Sequence, residues 1–362
     1  MTHSLADIAE ALGARLDGDG TLPIDGAAEP SDAGPRDLAM AMSPRYAEAL
    51  SRGRARAAAL WDGADRAALG LEGAVLVPRP RLAMAGITRL LDPGPGVGAG
   101  VHPTAVVDGA EIAPDARIGP LAVVERGARV GAGAVVGSHV SVGAGAVVGA
   151  GSVLHPGARI AHGVILGERV IVHPNASLGA DGFSFVTEEE HALEAVRRTM
   201  ADPGARPPQS WHRIHSLGGL VIGDDVEVGA CACIDRGTIR ATRIGRGTKI
   251  DNHVMIGHNC VVGEDCLLCG QAGLSGSVRV GDRVVIAGKA GVGDNLTIGD
   301  DAVVAGGAKV MSNVGPGRVM LGYPATRIES QVEIYKALRR LPRLMRDLAA
   351  GRKAVSNDGR SD

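Results

Sequence analysis

Aliphatic residues recur at every sixth position through the middle of the chain. The run begins at Val106, breaks after Leu178, resumes at Ile222, and continues to Val310 after a slip of four residues behind Ile234. The residue after the aliphatic is often Gly, and the fifth residue of the hexad is often Ala, Val or Cys. The repeated positions are Val106, Ile112, Ile118, Val124, Val130, Val136, Val142, Val148, Leu154, Ile160, Leu166, Val172, Leu178, Ile222, Val228, Ile234, Ile244, Ile250, Ile256, Val262, Leu268, Leu274, Val280, Ile286, Val292, Ile298, Val304 and Val310.

A period of six fits neither an α-helix nor a strand of alternating pattern. It predicts a parallel β-helix in which each hexad supplies one short strand and one turn. Three hexads complete a triangular coil, so residues 18 apart stack on neighbouring rungs, about 4.8 Å apart. The aliphatic residue is expected to point inward, and Gly to serve where a turn needs positive φ or lacks room for a Cβ. A Gly/Ala-rich low-complexity segment would not hold one register over so many hexads.

Residues 1–100 lack the hexads and predict a small α/β domain. Ser4 and Asp7 have the spacing of a capping box that opens a helix, and Gly13 is placed to end it. Two strands, a second helix and a Gly/Pro-rich linker complete this part. They are predicted at 55–60, 74–77, 81–91 and 92–100.

The predicted solenoid covers residues 101–316 and is interrupted by an excursion at 187–216. A short helix is expected at 188–200, followed by a Pro-rich loop at 202–209. A long departure from a regular solenoid either contributes to function or forms a solvated flap. The sequence leaves both interpretations open.

Residues 317–362 form a C-terminal helical extension in this interpretation, with the helix beginning near 326. Pro342 is expected to kink or divide that helix. Eight basic and three acidic residues between 327 and 353 give this segment a charge of +5. Such a surface suits an acidic protein partner, or it is the ordinary charged face of a capping helix.

Composition supports a narrow, regular interior. Of 362 residues, 54 are Gly, 45% are hydrophobic and only 2% are aromatic. Most globular cores depend on aromatic bulk, whereas Val, Ile, Leu and Ala fill a slender prism. The length allows two or three domains.

Charge and cysteine content exclude several classes of protein. The net charge of −2 gives no field that would attract nucleic acid. We expect no transmembrane segment and no signal peptide, because long apolar runs are missing. The five Cys are not spaced as a disulfide framework, which indicates a reducing, cytoplasmic compartment.

The densest polar cluster inside the repeat is residues 250–259, IDNHVMIGHN. His258 follows the core residue Ile256 by two positions, so it should point outward near a corner. A neutral imidazole there is suited to act as a general base, although an outward His is also a common surface residue. Gly276, 18 residues later, would place a backbone N–H one rung away as an oxyanion donor. Asn252 lies one face away, where a neighbouring subunit would bring it across a groove.

Residues 178–185 (LGADGFSF), 234–237 (IDRG) and 250–259 resemble the UDP-3-O-acylglucosamine N-acyltransferases. The order of domains matches over nearly the whole chain. The resemblance implies a mainly β, left-handed parallel β-helix that forms a homotrimer. It also implies transfer of an (R)-3-hydroxyacyl chain from acyl carrier protein to the 2-amine of UDP-3-O-(3-hydroxyacyl)-glucosamine in lipid A biosynthesis. No cofactor is expected, because the carrier brings its own phosphopantetheine.

The resemblance also assigns roles to individual residues. His258 matches the catalytic base, Gly276 the oxyanion amide, Asn252 an active-site Asn, and Tyr46 an aromatic residue that packs on uracil. At three further positions the sequence departs from the family, with Met40 in place of Phe, Ser43 in place of Asn, and Asn295 in place of His. The excursion at 187–216 is longer than the family's hairpin. The other expected substrate-binding residues are Met40, Ser43, Asp181, Gly182, Phe183 and Asn295.

Two other functions remain open from the sequence. Hexapeptide prisms of the γ-carbonic anhydrase type hold zinc with three His, and His253 and His258 have a similar spacing. The third ligand would have to be His212 or His215, out of column in the excursion, so no metal site is predicted. A trimeric scaffold without a site is the other alternative. The CxxC motif at 266–269 has no partner pair, and its first Cys falls on an inward position of the hexad.

Overall fold

The computed structural model describes residues 2–199, 201–205, 207–322 and 327–357. The chain divides into a first unit that ends at Gly96 and a second that starts at Val97. This division falls inside the predicted linker, 92–100. Each unit has its own hydrophobic core.

The first helix of the N-terminal unit, α1 (Leu5–Leu12), begins and ends as its sequence predicts. Ser4 Oγ accepts a hydrogen bond from the Asp7 N–H, and the Asp7 carboxylate accepts one from the Ser4 N–H. Gly13 ends the helix in the left-handed conformation, with φ 58°. The capping box and the glycine stop are therefore confirmed.

A five-stranded sheet forms the centre of this unit, with α1 and α3 (Pro80–Leu91) packed on one face through residues such as Ile8 and Ile87. One edge strand is antiparallel and the other four strands are parallel. In sheet order the strands are Arg15–Gly18, Gly73–Val77, Ala57–Trp61, Asp37–Ala41 and Gly26–Ala28. The smaller elements are the paired strands His3–Ser4 and Pro23–Ile24, the 3₁₀ helix Pro44–Tyr46, and α2 (Ala47–Leu50).

The second unit is a parallel β-solenoid, and the predicted mainly β fold class is confirmed. Each strand pairs in parallel with the strand one coil away, as Ile118 does with Val136. The three faces of the prism are sheets of nine, ten and eleven strands, called here the nine-, ten- and eleven-strand faces.

The nine-strand face consists of Glu111–Ile112, Arg129–Val130, Val147–Val148, Ile165–Leu166, Leu220–Ile222, Thr242–Ile244, Val261–Val262, Arg279–Val280 and Thr297–Ile298. The ten-strand face consists of Val106–Val107, Val123–Val124, Ser141–Val142, Arg159–Ile160, Ser177–Ala180, Cys233–Asp235, Met255–Ile256, Gly273–Leu274, Gly291–Val292 and Lys309–Val310. The eleven-strand face consists of Gly100–Val101, Arg117–Ile118, Val135–Val136, Val153–Leu154, Ile171–Val172, Glu227–Val228, Lys249–Ile250, Leu267–Leu268, Val285–Ile286, Val303–Val304 and Val319–Met320.

The hexad's inward positions form one continuous aliphatic core, and the predicted register holds almost throughout. The prediction was wrong at the first repeat. Val106 is 56% exposed, and its neighbour Val107 is the residue that stacks under Val124 and packs on the core. Two adjacent valines give no sequence signal for which one faces inward, so the choice is made by pairing with the next coil.

Glycine has two separate roles in the repeat. Directly after the inward aliphatic it is needed for space, since a Cβ on Gly143 would lie 2.6 Å from the His162 backbone nitrogen. Two residues further on, the corner requires positive φ, and Gly145 has φ 66°. Other residues also occupy this corner, including His253 at φ 58° and Asn259 at φ 63°. The left-handed corner is therefore a property of the coil, which Gly makes less costly.

Two irregularities interrupt the stack. Leu166 pairs with Ile222, so one coil carries the long excursion, and Ile222 pairs with Ile244, so the next coil has 22 residues in place of 18. The excursion contains an antiparallel pair of strands, Phe185–Val186 with His212–Arg213. It also contains α4 (Ala192–Thr199), a shorter version of the predicted helix.

The C-terminal segment differs from the prediction at both of its landmarks. The strand Val319–Met320 still belongs to the solenoid, beyond the expected end at 316. Helix α5 (Ile328–Asn357) continues through Pro342, so of the two predicted effects, a kink or a division, the division does not occur. Proline has a φ compatible with helix and removes one donor, and the good helix formers around it maintain the rest. Within the described residues, no helix combines the length and apolarity needed to cross a membrane.

Candidate active site

A cavity of about 930 Å³ lies on the ten-strand face. Its floor contains the outward-facing residues of four successive rungs, Met255, Gly273, Gly291 and Lys309. A Cβ on Gly273 would meet no atom within 4 Å, so the glycine leaves the groove open. This volume lies in the range of sites that bind small molecules.

The excursion supplies an aromatic wall to this cavity. Phe183, Phe185 and Trp211 all line it, although the whole chain has only two Phe and two Trp. The rings of Phe183 and Phe185 meet edge to face at 5.1 Å, and Phe183 is 86% exposed. Aromatic residues left this open to solvent are suited to ligand contact. The wall favours a functional role for the excursion over a solvated flap, and sequence reasoning assigned no role to Trp211.

His258 is held in one tautomer by Asn259. Its Nδ1 lies 2.8 Å from Asn259 Oδ1. The amide of Asn259 is oriented in turn, because Oδ1 also accepts from the Thr238 N–H and Nδ2 donates to the Arg240 carbonyl. Oδ1 is therefore an acceptor, so Nδ1 of the neutral ring carries the proton. Nε2 therefore keeps its lone pair, and this tautomer can act as a base through Nε2.

Gly276 lies against the free edge of the His258 ring. A Cβ at this glycine would stand 2.8 Å from Cε1 and 2.9 Å from Nε2 of His258. Asn295, which also lines the cavity, donates its backbone N–H to the Gly276 carbonyl at 3.1 Å. Among the described residues no group accepts a hydrogen bond from the Gly276 N–H. The structure thus brings His258, Gly276 and Asn295 together, while their catalytic roles stay predictions.

Gly182 packs on the opposite side of the imidazole. A Cβ there would lie 2.7 Å from His258 Cβ, and the Gly182 N–H is fixed by Ser216 Oγ at 3.0 Å. The ring is consequently held between two glycine backbones. Phe183 lines the cavity as expected, whereas Asp181 is not part of the lining and forms an ion pair with Arg213 at 3.4 Å.

The IDRG motif anchors the base of the excursion. Ile234 belongs to the core, and Arg236 is only 4% exposed. The Arg236 guanidinium donates to the Gly179 carbonyl at 2.8 Å and also contacts His162. A Cβ on Gly237 would lie 1.7 Å from the Arg240 carbonyl oxygen, so no larger residue fits the turn.

The four extra residues in the coil between Ile222 and Ile244 have a direct structural consequence. They produce the loop at 236–241, whose Thr238 and Arg240 backbones orient Asn259. The same loop bonds the returning end of the excursion, through Leu217 N–H to the Thr238 carbonyl. Both irregularities of the repeat therefore converge on His258.

Asp235 places a carboxyl group in the same cavity. The residue is 6% exposed and lines the cavity with His258. Burial raises the pKa of Asp235 to about 6; a charge on His258 opposes this rise and the Asp181 carboxylate adds to it. Sequence reasoning included Asp235 in a motif but assigned it no function. Its signal was a carboxylate at a hexad position where neighbouring coils have Gly or Ser.

Asn252 does not reach this cavity within one chain. It lies exposed at the corner after Lys249–Ile250, and its Oδ1 accepts a hydrogen bond from the Ala230 N–H at 2.6 Å. This contact supports the coil below it. A role in catalysis would require a neighbouring subunit and stays a prediction.

Met40, Ser43 and Tyr46 belong to the N-terminal unit. They follow one another at the end of the strand Asp37–Ala41, and Ser43 precedes the 3₁₀ helix that contains Tyr46. All three are half-buried. The Tyr46 ring lies 4.6 Å from the Arg45 guanidinium carbon, and its hydroxyl accepts a hydrogen bond from Arg45. Their role toward uracil stays a prediction.

The residues considered for zinc are dispersed. His253 is exposed at a corner and His212 lies in the excursion hairpin. In the ranges that the structure describes, no group of three or more His, Cys, Asp or Glu is arranged to hold a metal ion. Cys260 and Cys266 are buried in the core, as predicted. Burial raises the pKa of the Cys260 thiol to about 11, which makes it unreactive.

The repeats match a known family model. Residues 145–180 and 241–276 match the family described as bacterial transferase hexapeptide (six repeats). Together with the solenoid and its external cavity, this match defines a transferase of the hexapeptide-repeat class.

Curated relatives narrow the class. The chain is 58% identical over 363 residues to the UDP-3-O-acylglucosamine N-acyltransferase of Ruegeria pomeroyi, with 100% of both chains covered. It is 57% identical over 356 residues to the enzyme of that name from Paracoccus denitrificans, covering 98% of this chain and 97% of the relative. The chain therefore belongs to the UDP-3-O-acylglucosamine N-acyltransferase family, and it is an acyltransferase.

Solved structures include the UDP-N-acetylglucosamine O-acyltransferase of Moraxella catarrhalis. It is 27% identical, with a TM-score of 0.43 over 59% of this chain and 67% of that one.

Proposed function

We propose that this acyltransferase moves an (R)-3-hydroxyacyl chain from acyl carrier protein to the 2-amine of UDP-3-O-(3-hydroxyacyl)-glucosamine, with His258 as general base. The proposal places the reaction in lipid A biosynthesis and in the cytoplasm. The observation that carries it is His258 itself. Its Nδ1 is tied to Asn259, and its ring edge meets the Gly276 backbone inside the cavity. The names of the full-length relatives supply the substrate class.

The reaction proceeds by direct transfer in this proposal. The amine nitrogen attacks the thioester carbonyl carbon and forms the C–N bond, while His258 Nε2 accepts one amine proton. The Gly276 N–H stabilises the negative charge on the carbonyl oxygen. The C–S bond then breaks, and protonated His258 returns its proton to the phosphopantetheine sulfur. A thioester is already activated, so no covalent enzyme intermediate is needed.

A homotrimer would complete the site. The outward-facing residues of the eleven-strand face are mostly aliphatic, including Val153, Ile171, Val285 and Val303, and Leu267 is among the exposed apolar residues. A flat row of this kind is typical of a surface covered by another subunit. Asn252 stands at the corner that ends one strand of this face, where a neighbouring subunit's cavity would be within reach.

The test uses purified protein with UDP-3-O-(3-hydroxyacyl)-glucosamine and 3-hydroxyacyl carrier protein. His258→Ala should lower kcat by at least about a hundredfold, the usual scale for loss of a general base. His253→Asn is the matched control, because it replaces an exposed His outside the cavity with a residue that tolerates the left-handed corner. Normal turnover by His258→Ala would exclude His258 as the base. Inactive wild-type protein with both substrates would refute the proposed function.

A further inference from the structure

The carboxyl group of Asp235 is out of place in its column of the solenoid. It occupies the position directly after an inward aliphatic on the ten-strand face. On the following coils of that face the same position is Gly257, Ser275 and Gly293, and on the preceding coil Asp235 pairs with Ala180 across a β-bulge. Space is limited there and a small residue suffices for the coil. A nearly buried carboxylate is costly unless something pairs with it, so the fold itself gives no reason for Asp235.

The Asp235 carboxylate also has no hydrogen-bond donor among the residues that the structure describes. The adjacent Arg236 sends its guanidinium to Gly179 and His162. The charged groups that influence Asp235 are His258 and Asp181, and Asp181 is paired with Arg213. A buried acceptor that opens on the cavity and receives no such donor is arranged to receive one from a ligand.

The chemistry of the proposed acceptor supplies such a donor. An amine that attacks a carbonyl carries two N–H bonds, and only one proton leaves to the base. The other N–H remains through the reaction and into the amide product. Once the two substrates fill the cavity and displace its water, this N–H needs an acceptor. A hydroxyl nucleophile has a single proton and makes no such demand.

We propose that the Asp235 carboxylate binds the 2-amino group of the acceptor sugar by accepting a hydrogen bond from the N–H that His258 does not remove. The inference rests on the proposed function and deepens it. Asp235 then becomes a residue that selects an amine over a hydroxyl at the reacting position. A charge-assisted hydrogen bond is stronger than a neutral one, which accounts for a carboxylate at this position.

Binding measurements test the inference without turnover. We expect Asp235→Asn to raise the Kd of UDP-3-O-acylglucosamine, measured by calorimetry without donor, by about tenfold. The 2-deoxy analogue, which has no N–H or O–H donor at carbon 2, should bind wild type and variant within about twofold. Asp235→Ser introduces the residue type that Ser275 has in the same column. It should raise the Kd of UDP-3-O-acylglucosamine as Asp235→Asn does, and it replaces that variant if Asp235→Asn does not fold. Asp108→Asn removes an exposed carboxylate that pairs with Arg126 and should change neither constant.

Stability and pH separate this role from a structural one. Because the pKa of Asp235 is raised to about 6, the folded protein binds this proton more tightly than the unfolded chain between about pH 4 and pH 6. Stability is therefore lost as pH rises through that window. Asp235→Asn should leave the melting temperature unchanged near pH 4 and raise it at pH 8. A carboxylate that supports the fold would give a lower melting temperature at pH 8.

The pH dependence of kcat/KM gives a third measurement. Protonation of Asp235 removes the carboxylate that accepts the amine N–H, so the advantage in kcat/KM of wild type over Asp235→Asn should shrink as pH falls below about 6. At pH 8, where Asp235 is ionised, kcat/KM of Asp235→Asn should be at least about tenfold lower than that of wild type. An unchanged Kd and an unchanged kcat/KM at pH 8, with His258→Ala still inactive, would overturn the inference alone. A wild type that neither binds nor acylates the UDP-sugar would refute the proposed function.

Discussion

The absence of a side chain at Gly276 lets the next coil of the solenoid lie directly against the imidazole of His258. The φ of Gly276 is not in the left-handed region, so Ala is compatible with the backbone and only the His258 ring occupies the space. We expect Gly276→Ala to displace that ring and lower kcat by about a hundredfold, since misplacement of a catalytic group by about 1 Å has this effect. Steady-state kinetics with both substrates measure the loss.

Gly288→Ala is the matched control for this change. Gly288 holds the same place in its hexad as Gly276, and a Cβ there would approach only the Gly270 carbonyl oxygen, at 3.4 Å. Its kcat should stay within about twofold of wild type, because the added methyl meets no catalytic group. Equal losses in the two variants would indicate a general effect on the coil and would exclude the contact between Gly276 and His258 as the cause.

At the scale of residues the sequence predicts partners that are one coil apart. The 18-residue spacing was enough to place Gly276 beside His258, and the structure has that contact. It was not enough for Asn259 or Asp235. The tautomer of His258 depends on the carbonyl and N–H groups of an irregular loop, and loop geometry leaves no periodic signal.

The excursion is the element that can be removed most cleanly. Val186 pairs with His212, so replacing residues 187–211 with Asn-Gly joins two paired strand ends through a two-residue turn. The solenoid core is untouched, and the melting temperature should change by only a few degrees. Loss of the Trp211 wall should raise KM for the substrates about tenfold, as measured by initial rates.

The point variant Trp211→Ala in the full chain isolates the aromatic contact from the rest of the excursion. It should reproduce most of the rise in KM. Unchanged KM in both variants would return the excursion to the interpretation of a solvated flap.

At the scale of elements, prediction failed where two choices satisfy the same pattern. Val106 and Val107 are equally apolar, and only pairing with the next coil puts Val107 inside. Pro342 was expected to kink or divide its helix, and the helix is not divided there. The short strands of the N-terminal unit, such as Arg15–Gly18, are edge or mixed segments whose exposure pattern does not alternate. Tertiary pairing decides the register of the valines and the short strands, and local sequence does not encode it; the helix formers around Pro342 decide the third case.

The whole molecule concentrates positive charge on one element. Helix α5 carries Lys336, Arg339, Arg340, Arg343 and Arg346 on exposed positions, in a chain with a net charge of −2. If this helix attracts the acidic carrier protein, raising NaCl from about 50 mM to about 500 mM should raise KM for that substrate at least about threefold. KM for the nucleotide sugar should change less.

Charge reversal on the helix gives the corresponding variant experiment. Arg340→Glu combined with Arg346→Glu should raise KM for the carrier protein at low salt and reduce its salt dependence. Arg129→Glu, an exposed position on the nine-strand face, should do neither. An unaltered salt response in the double variant would assign carrier binding to another surface.

Each regular coil of the solenoid contains three hexads, and this limits the insertions and deletions that keep its faces in register. One added or missing hexad above Gly276 would rotate every later strand to the next face of the prism, so Gly291, Asn295 and Lys309 would leave the cavity together. Eighteen residues inserted in the same place would return all of them to their original face of the prism, one rung further along the solenoid. Viable insertions and deletions beyond Gly276 are accordingly expected in steps of three hexads. The N-terminal unit has no repeat and is not subject to this restriction.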